Sequence, residues 1–461
     1  HNRGNHNHSH HVKETKKEIN NELSELRASS KVSDFKKKLN NINQEDKNTV
    51  EGTYTIKFFS ADGNTERSSG ELVDTDYAQI SDGTNTYKRN LASGDISSGN
   101  IKSGTVLDFG SGIKIAADAD IAVDDIKNKR IVVENGDGAV GYLIGEEHQG
   151  MRYMFKMMNN ARLGVGVEGL AVAERALQQA SSFALDRRQG KAMGAEAGEQ
   201  SLIIEHPDVR RMLLTMRAYT DAMRCILYAN AAALDLAKSH PENEERQIAS
   251  DRAELLTPIS KAWCTDLGVE MTSLGIQVHG GYGYIEETGA AQHLRDSRIS
   301  PIYEGTNGIQ AIDLVGRKLR MNEGKVIRDL LDEINEFTES LDEHGEEFAT
   351  IRSNLTDSLN AVEEATTWLT EKGTEDPIQA ISGATPYLRM LGQLVGGWFL
   401  ARLAIGAKNN ENIGDPDFRN TKITVAKFYA EQLLPLTRAQ LGAVTAGSSD
   451  LFAVPEELFS I

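Results

Sequence analysis

The chain of 461 residues is 39% hydrophobic and 26% charged, the make-up of a globular protein with room for two to four domains of about 150 residues each. Its formal net charge of −18 argues against nucleic acid as a partner, because that binding rests on basic patches that neutralise phosphates. Cys225 and Cys264 belong to no CxxC pair and sit in apolar helical patterns, which reads as two buried thiols in a reducing cytoplasm. No apolar run reaches the ~18 residues of a spanning helix, no signal-peptide pattern opens the chain, and a start at His1 fits a fragment or a processed product.

Residues 1–11 form a polar, histidine-rich tail, read as disordered with adventitious metal affinity rather than as a metal site. Over 12–48 the apolar residues Ile19, Leu23, Leu26, Val32, Phe35, Leu39 and Ile42 fall at helical spacing, broken in phase at Ser29-Ser30, which predicts two short amphipathic helices or a weak coiled coil. The period changes over 49–137. Thr53 to Phe58 alternates, turns follow at Ala61–Asn64 and Asp82–Asn85, and strands are predicted at Val106–Phe109, Ile113–Ile115 and Arg130–Val133. The Gly-, Asp- and Ser-rich texture of this small antiparallel unit is similar to that of the outer domains of flagellins and hook-associated proteins, and it carries no catalytic constellation.

From 138 onward the chain reads as helical. Helices are predicted from Gly150 to Arg188, from His206-Pro207-Asp208 with Pro in the first turn, and from about Glu244 to His279, ending in an αL terminus at Gly280-Gly281. A short helix precedes Arg298, a loop runs through Glu304, and a helix reaches about Arg320. An acidic helical stretch over 326–371 and a helical pair centred on 388–407 and 422–434 complete the chain. The fold class is a multidomain α + β chain, with the β unit followed by an all-α bundle over 138–321 and a helical extension over 322–461.

Chemistry concentrates in the loop Pro301-Ile302-Tyr303-Glu304-Gly305-Thr306-Asn307-Gly308-Ile309-Gln310. It combines a carboxylate, a glycine that lets backbone approach a ligand, and a hydroxyl. A carboxylate on the apolar rim of Ile302-Tyr303 has the environment a base near neutrality requires, although a capping Glu or Thr would use the same residue types. Gly275-Ile276-Gln277-Val278-His279-Gly280-Gly281-Tyr282-Gly283-Tyr284 ends a helix with glycines that either terminate it or make room for a phosphate. Asp186-Arg187-Arg188-Gln189-Gly190 is either a solvated basic helix end or a pyrophosphate clamp.

Taken in order, QVHGGYGY, LRDSRI and YEGTNGIQ resemble the C-terminal helical domain of the acyl-CoA dehydrogenase family. The lead-in GYLIGEEHQGM, then NARL, ALDRRQG and EHPDVRRML, precede them in the family's order. Tyr387-Leu388, LVGGW and AKFYAE are similar to the extra C-terminal domain of a subgroup that includes long-chain and 3-methylthiopropanoyl-CoA enzymes, which implies a long or unusual acyl group.

The resemblance implies that Glu304 is the base that removes the pro-R α-proton of an acyl-CoA, while hydride passes from the β-carbon to N5 of FAD to give a trans-2-enoyl-CoA. The backbone N–H of Glu304 and a flavin ribityl hydroxyl would stabilise the enolate at the thioester oxygen. Arg187, Gln277, Gly280, Gly281 and Thr306 are implied as FAD contacts, partly across a dimer interface. Arg162, Tyr303 and Gly305 are implied at the substrate. The implied partners are an acyl-CoA, electron-transfer flavoprotein and further copies of the chain in a homo-oligomer; no metal is implied. Before Gly138 neither the Thr-Glu-Pro motif nor the Trp segment of the family's β domain is found. An impaired flavin pocket is therefore expected, and the competing reading is an inactive chain in which a helical assembly module is joined to a filament-type β domain.

Overall fold

The computed structural model describes residues 52–110, 113–117, 120–126, 130–133 and 143–460; the readings of 1–11 and 12–48 fall outside them. The chain divides into two compact units, residues 1–146 and 147–461.

The first unit is built on a four-stranded antiparallel sheet in the order β3-β2-β1-β8, where β1 is Gly52–Phe59, β2 Tyr77–Ser81, β3 Thr86–Asn90 and β8 Arg130–Val133. Alternation along β1 sends Tyr54, Ile56 and Phe58 to a buried face. The predicted turn at Asp82 closes the β2–β3 hairpin, and Asp82 Oδ1 accepts from the N–H groups of Thr84 at 2.8 Å and Asn85 at 2.6 Å. Two small ladders follow, β4 (Ile96–Ser97) with β5 (Asn100–Ile101) and β6 (Val106–Asp108) with β7 (Lys114–Ala116). The strand predicted at 113–115 thus starts one residue later, because Ile113 closes the turn with an N–H bond to Gly110 O.

The second unit is helical: α1 (Gly150–Asp186), α2 (Pro207–Ser239), α3 (Asn243–Pro258), α4 (Cys264–His279), α5 (Ala290–Ser297), α6 (Asn307–Gly316), α7 (Lys325–Ser340), α8 (Ala349–Glu375), α9 (Ala384–Asn409) and α10 (Pro416–Phe428). The rod expected over 244–279 is interrupted by a π turn at Ile259–Trp263. Pro258 has no N–H to donate to the preceding turn, so the ladder changes register there. Its end also differs from expectation, since Gly280 has φ 61° and ψ −142°, a glycine conformation outside the αL well. The acidic stretch over 326–371 is two helices, parted at Gly345.

One apolar core runs from Leu170 to Val444 and joins α1–α4 to α7–α10. Two close contacts set its geometry. Where α1 crosses α4, Gly169 and Gly268 bring the two backbones together, and a Cβ on Gly268 would lie 2.8 Å from Gly169 O. On α9, Gly392 and Gly396 receive the fully buried Trp263 ring, with a Cβ on Gly392 falling 2.4 Å from it. Helix α9 has the length and hydropathy of a spanning segment, which counting apolar runs does not register, yet most of it is buried in the bundle as a core helix. Cys264 is buried as expected, whereas Cys225 is only half-buried; both thiols are free.

Candidate active site

The loop between α5 and α6 is closed by Asn307 N–H donating to Pro301 O at 3.0 Å and Tyr303 N–H donating to Ile299 O at 3.1 Å. At its apex Glu304 has φ 59° and Gly305 φ 77°. A left-handed residue with a side chain is strained and persists only where its surroundings hold it. Here the holding groups converge on one atom. Arg162 Nε donates to Glu304 O at 3.3 Å and Gln310 Nε2 donates to the same oxygen at 3.4 Å. With the carbonyl pinned, Glu304 sits half-buried at the apex. Gly305 is needed for space as well as φ, since a Cβ there would meet Gln310 Nε2 at 3.0 Å and Arg162 Nη2 at 3.3 Å.

Arg162, Tyr303, Glu304 and Gly305 are thus brought together. Tyr303 O–H donates to Glu168 of α1, and that bond to a carboxylate pushes the phenol up to about 12. Thr306 is the N-cap of α6, its Oγ1 accepting from Ile309 N–H at 3.3 Å, so its own hydroxyl proton stays available.

Beneath the loop lies a polar network that motif reading missed. Lys261, fully buried in the π turn, donates from Nζ to Asn307 Oδ1 at 2.8 Å. Asn307 Nδ2 faces Thr265 Oγ1 at 2.9 Å and Asp266 Oδ1 at 2.7 Å. Burial lowers the Lys261 ammonium to about 8, against the pull of Asp266 and Glu304; burial also raises the Asp266 carboxyl. The clue in the sequence was a lysine in a largely apolar stretch, three residues after a proline inside a helix.

Because the folded-state value of Lys261 lies below the ordinary 10.5, the unfolded chain binds more protons between the two. Stability therefore rises as pH climbs from about 8 to 10.5, the penalty being full below this window and gone above it. Lys261→Met is expected to remove that rise, measured as the difference between variant and parent in urea unfolding on either side of the window.

The other predicted residues gather elsewhere. Arg187, Gly280 and Gly281 line a hollow of about 410 Å³ with His279 and Tyr282. The Arg187 guanidinium lies over the Tyr282 ring, 5.0 Å from its centroid, and His279 is fixed by a 2.7 Å contact between Nδ1 and Gly275 O. A cation beside an open glycine backbone can hold an anionic phosphate. Gln277 is exposed on the last turn of α4 and does not line this hollow. Arg162 and Arg187 stand at opposite parts of α1, roughly 25 positions and about 37 Å apart at 1.5 Å per residue. Among the described residues, no group of three or more His, Cys, Asp or Glu side chains could hold a metal.

Residues 148–319 match the family model described as acyl-CoA dehydrogenase, C-terminal domain, and residues 330–455 match acetyl-CoA dehydrogenase C-terminal like. The 3-methylmercaptopropionyl-CoA dehydrogenase of Ruegeria pomeroyi is 44% identical over 310 residues, 67% of this chain and 53% of that protein. A butyryl-CoA dehydrogenase of Syntrophomonas wolfei is 31% identical over 333 residues, 70% of this chain and 54% of that protein. The chain therefore spans about half the length of these relatives. The structure of an acyl-CoA dehydrogenase complexed with FAD from Bacillus anthracis matches with a TM-score of 0.51 at 19% identity, over 80% of this chain and 58% of that one. That share exceeds the helical unit alone, so the fold match extends into the first unit. Through residues 148–319 and 330–455, this chain belongs to the acyl-CoA dehydrogenase family.

Proposed function

We propose that the chain takes part in the α,β-dehydrogenation of an acyl-CoA thioester, with Glu304 as the base that accepts the α-proton. The observation that carries this is the strained Glu304 backbone at the loop apex, whose carbonyl is pinned by Arg162 and Gln310 while its side chain is left half-buried. A positioned carboxylate is worth about 10²–10⁴-fold as a general base. Tyr303, anchored on Glu168, and Gly305 shape the wall beside it, and the buried Arg162 guanidinium supplies a fixed positive charge under the thioester arm.

The residues present fit FAD. Arg187 with the open Gly280–Gly281 backbone has the donor set for its pyrophosphate, Gln277 lies one turn before them for the adenosine end, and the Thr306 hydroxyl proton is free to donate beside Glu304. When bound, the flavin would accept the hydride leaving the β-carbon. The proposed working assembly is a homo-oligomer in which neighbouring copies share the FAD contacts around Arg187, Gly280 and Gly281. Electron-transfer flavoprotein is the proposed electron acceptor, fatty-acid or related acyl-CoA oxidation the proposed role, and the free thiols favour a reducing cytoplasm.

Purified chain incubated with FAD and passed over a sizing column is expected to stay yellow, and Arg187→Ala to lose most of that bound flavin. Colourless parent protein would overturn the cofactor assignment, and equal retention by the variant would overturn the role of Arg187.

A further inference from the structure

We propose that Lys261 is a positioning residue for Glu304, acting through Asn307 to fix the root of the loop that carries the base. This role rests on the reading of Glu304 as that base. Burying an ammonium is costly, and an apolar side chain of similar volume would fill the π turn without that cost. Lys261 is nevertheless 0% exposed, and its Nζ donates to the neutral Oδ1 of Asn307 at 2.8 Å.

The rest of the Asn307 amide is directed into the same stretch of chain. Its Nδ2 faces Asp266 Oδ1 at 2.7 Å, Thr265 Oγ1 at 2.9 Å and Ala262 O at 3.2 Å. The Thr265 hydroxyl gives its own proton to Lys261 O at 2.6 Å, so its oxygen is left to accept. With a cation on one side and a carboxylate on the other, the amide has one orientation. Reversing it would set NH₂ against ammonium and oxygen against carboxylate.

That orientation reaches Glu304 through the backbone. Asn307 N–H donates to Pro301 O at 3.0 Å, so the residue clamped by the π turn also ties the two ends of the loop together. Asn307 is the first residue of α6, and α6 supplies Gln310, which with Arg162 holds the Glu304 carbonyl. Freeing Asn307 would let the loop and the first turn of α6 shift together. A displacement of about 1 Å at a reacting group can cost about 10²-fold in rate.

The test is hydrogen exchange of the full chain read by mass spectrometry, on the parent, Asn307→Ala, Lys261→Met and the double variant. In each single variant the peptide over 301–310 is expected to exchange about tenfold or more faster, while peptides from α7 keep the parent's rate. Because Lys261 acts through Asn307, the double variant is expected to match Asn307→Ala without a second, additive effect. Turnover of an acyl-CoA is expected to fall about tenfold to a hundredfold in kcat at similar KM. Urea unfolding confirms that each variant is folded, and Lys261→Gln takes the place of Lys261→Met if the latter is not. Parent-like exchange over 301–310, additive effects in the double variant, or exchange that quickens equally throughout the helical unit would overturn the positioning role, as would unchanged kcat in the folded variants. A parent chain without turnover would count against Glu304 as the base, while the exchange measurements decide the clamp by themselves.

Discussion

Glu304→Gln is expected to lower the proposed acyl-CoA dehydrogenation by about 10²–10⁴-fold, the range for loss of a positioned general base, with flavin retention unchanged. The amide matches the carboxylate in shape but cannot take up a proton. The site around it should persist, because the contacts that hold this residue at φ 59° go to its backbone oxygen from Arg162 and Gln310 rather than to its side chain. The measurement is steady-state reduction of an artificial electron acceptor, with 3-methylmercaptopropionyl-CoA and straight-chain acyl-CoAs as trial substrates. A fall in kcat at similar KM is the expected pattern, since the group acts in the transition state. Parent-like turnover by Glu304→Gln would remove this residue from the role of base.

Gly166→Val should produce the largest loss of stability. A Cβ at 166 would lie 2.3 Å from Ser260 O and 2.7 Å from Leu227 Cδ2, and the first neighbour is backbone in the π turn that cannot swing aside. Overpacking of this kind costs about 1–3 kcal/mol and occasionally more, and here it would force apart the α1 segment that carries Arg162 and the turn that carries Lys261. We expect a lower urea midpoint together with weaker activity. Gly164→Ala is the control two residues away. Nothing lies within 4 Å of its added Cβ, the position is exposed, and removing a mid-helix glycine should stabilise by about 1 kcal/mol. Similar midpoints for the two variants would show that the crossing is not tight at Gly166.

Local chemistry was legible wherever a few adjacent residues decide it. Alternation in Thr53–Phe58 placed a strand, Asp82 placed a hairpin turn, and the ordered motifs from Asn160 to Gln310 identified the helical domain and its loop. Period and turn chemistry are short-range properties, so they survive reading without a fold. Errors arose where a distant or subtle term won. Pro258 altered a hydrogen-bond ladder that hydrophobic period still described as unbroken, and Gly280 ends its helix outside the αL well expected of it.

The sequence by itself determined the family, the carboxylate on the loop and the cationic helix end at Arg187, since each is written in contiguous residues. Only the tertiary structure decided what stands beneath Glu304. Arg162, Glu168, Lys261 and Glu304 come from parts of the chain more than 40 residues apart at their widest gaps, joined because small residues on α1 and α4 let two helices touch. It also set the distance between Arg162, implied at the substrate, and Arg187, implied at the FAD pyrophosphate. A helix is a rigid spacer whose rise per residue is constant, so two motifs on α1 cannot meet within one copy however well each is recognised.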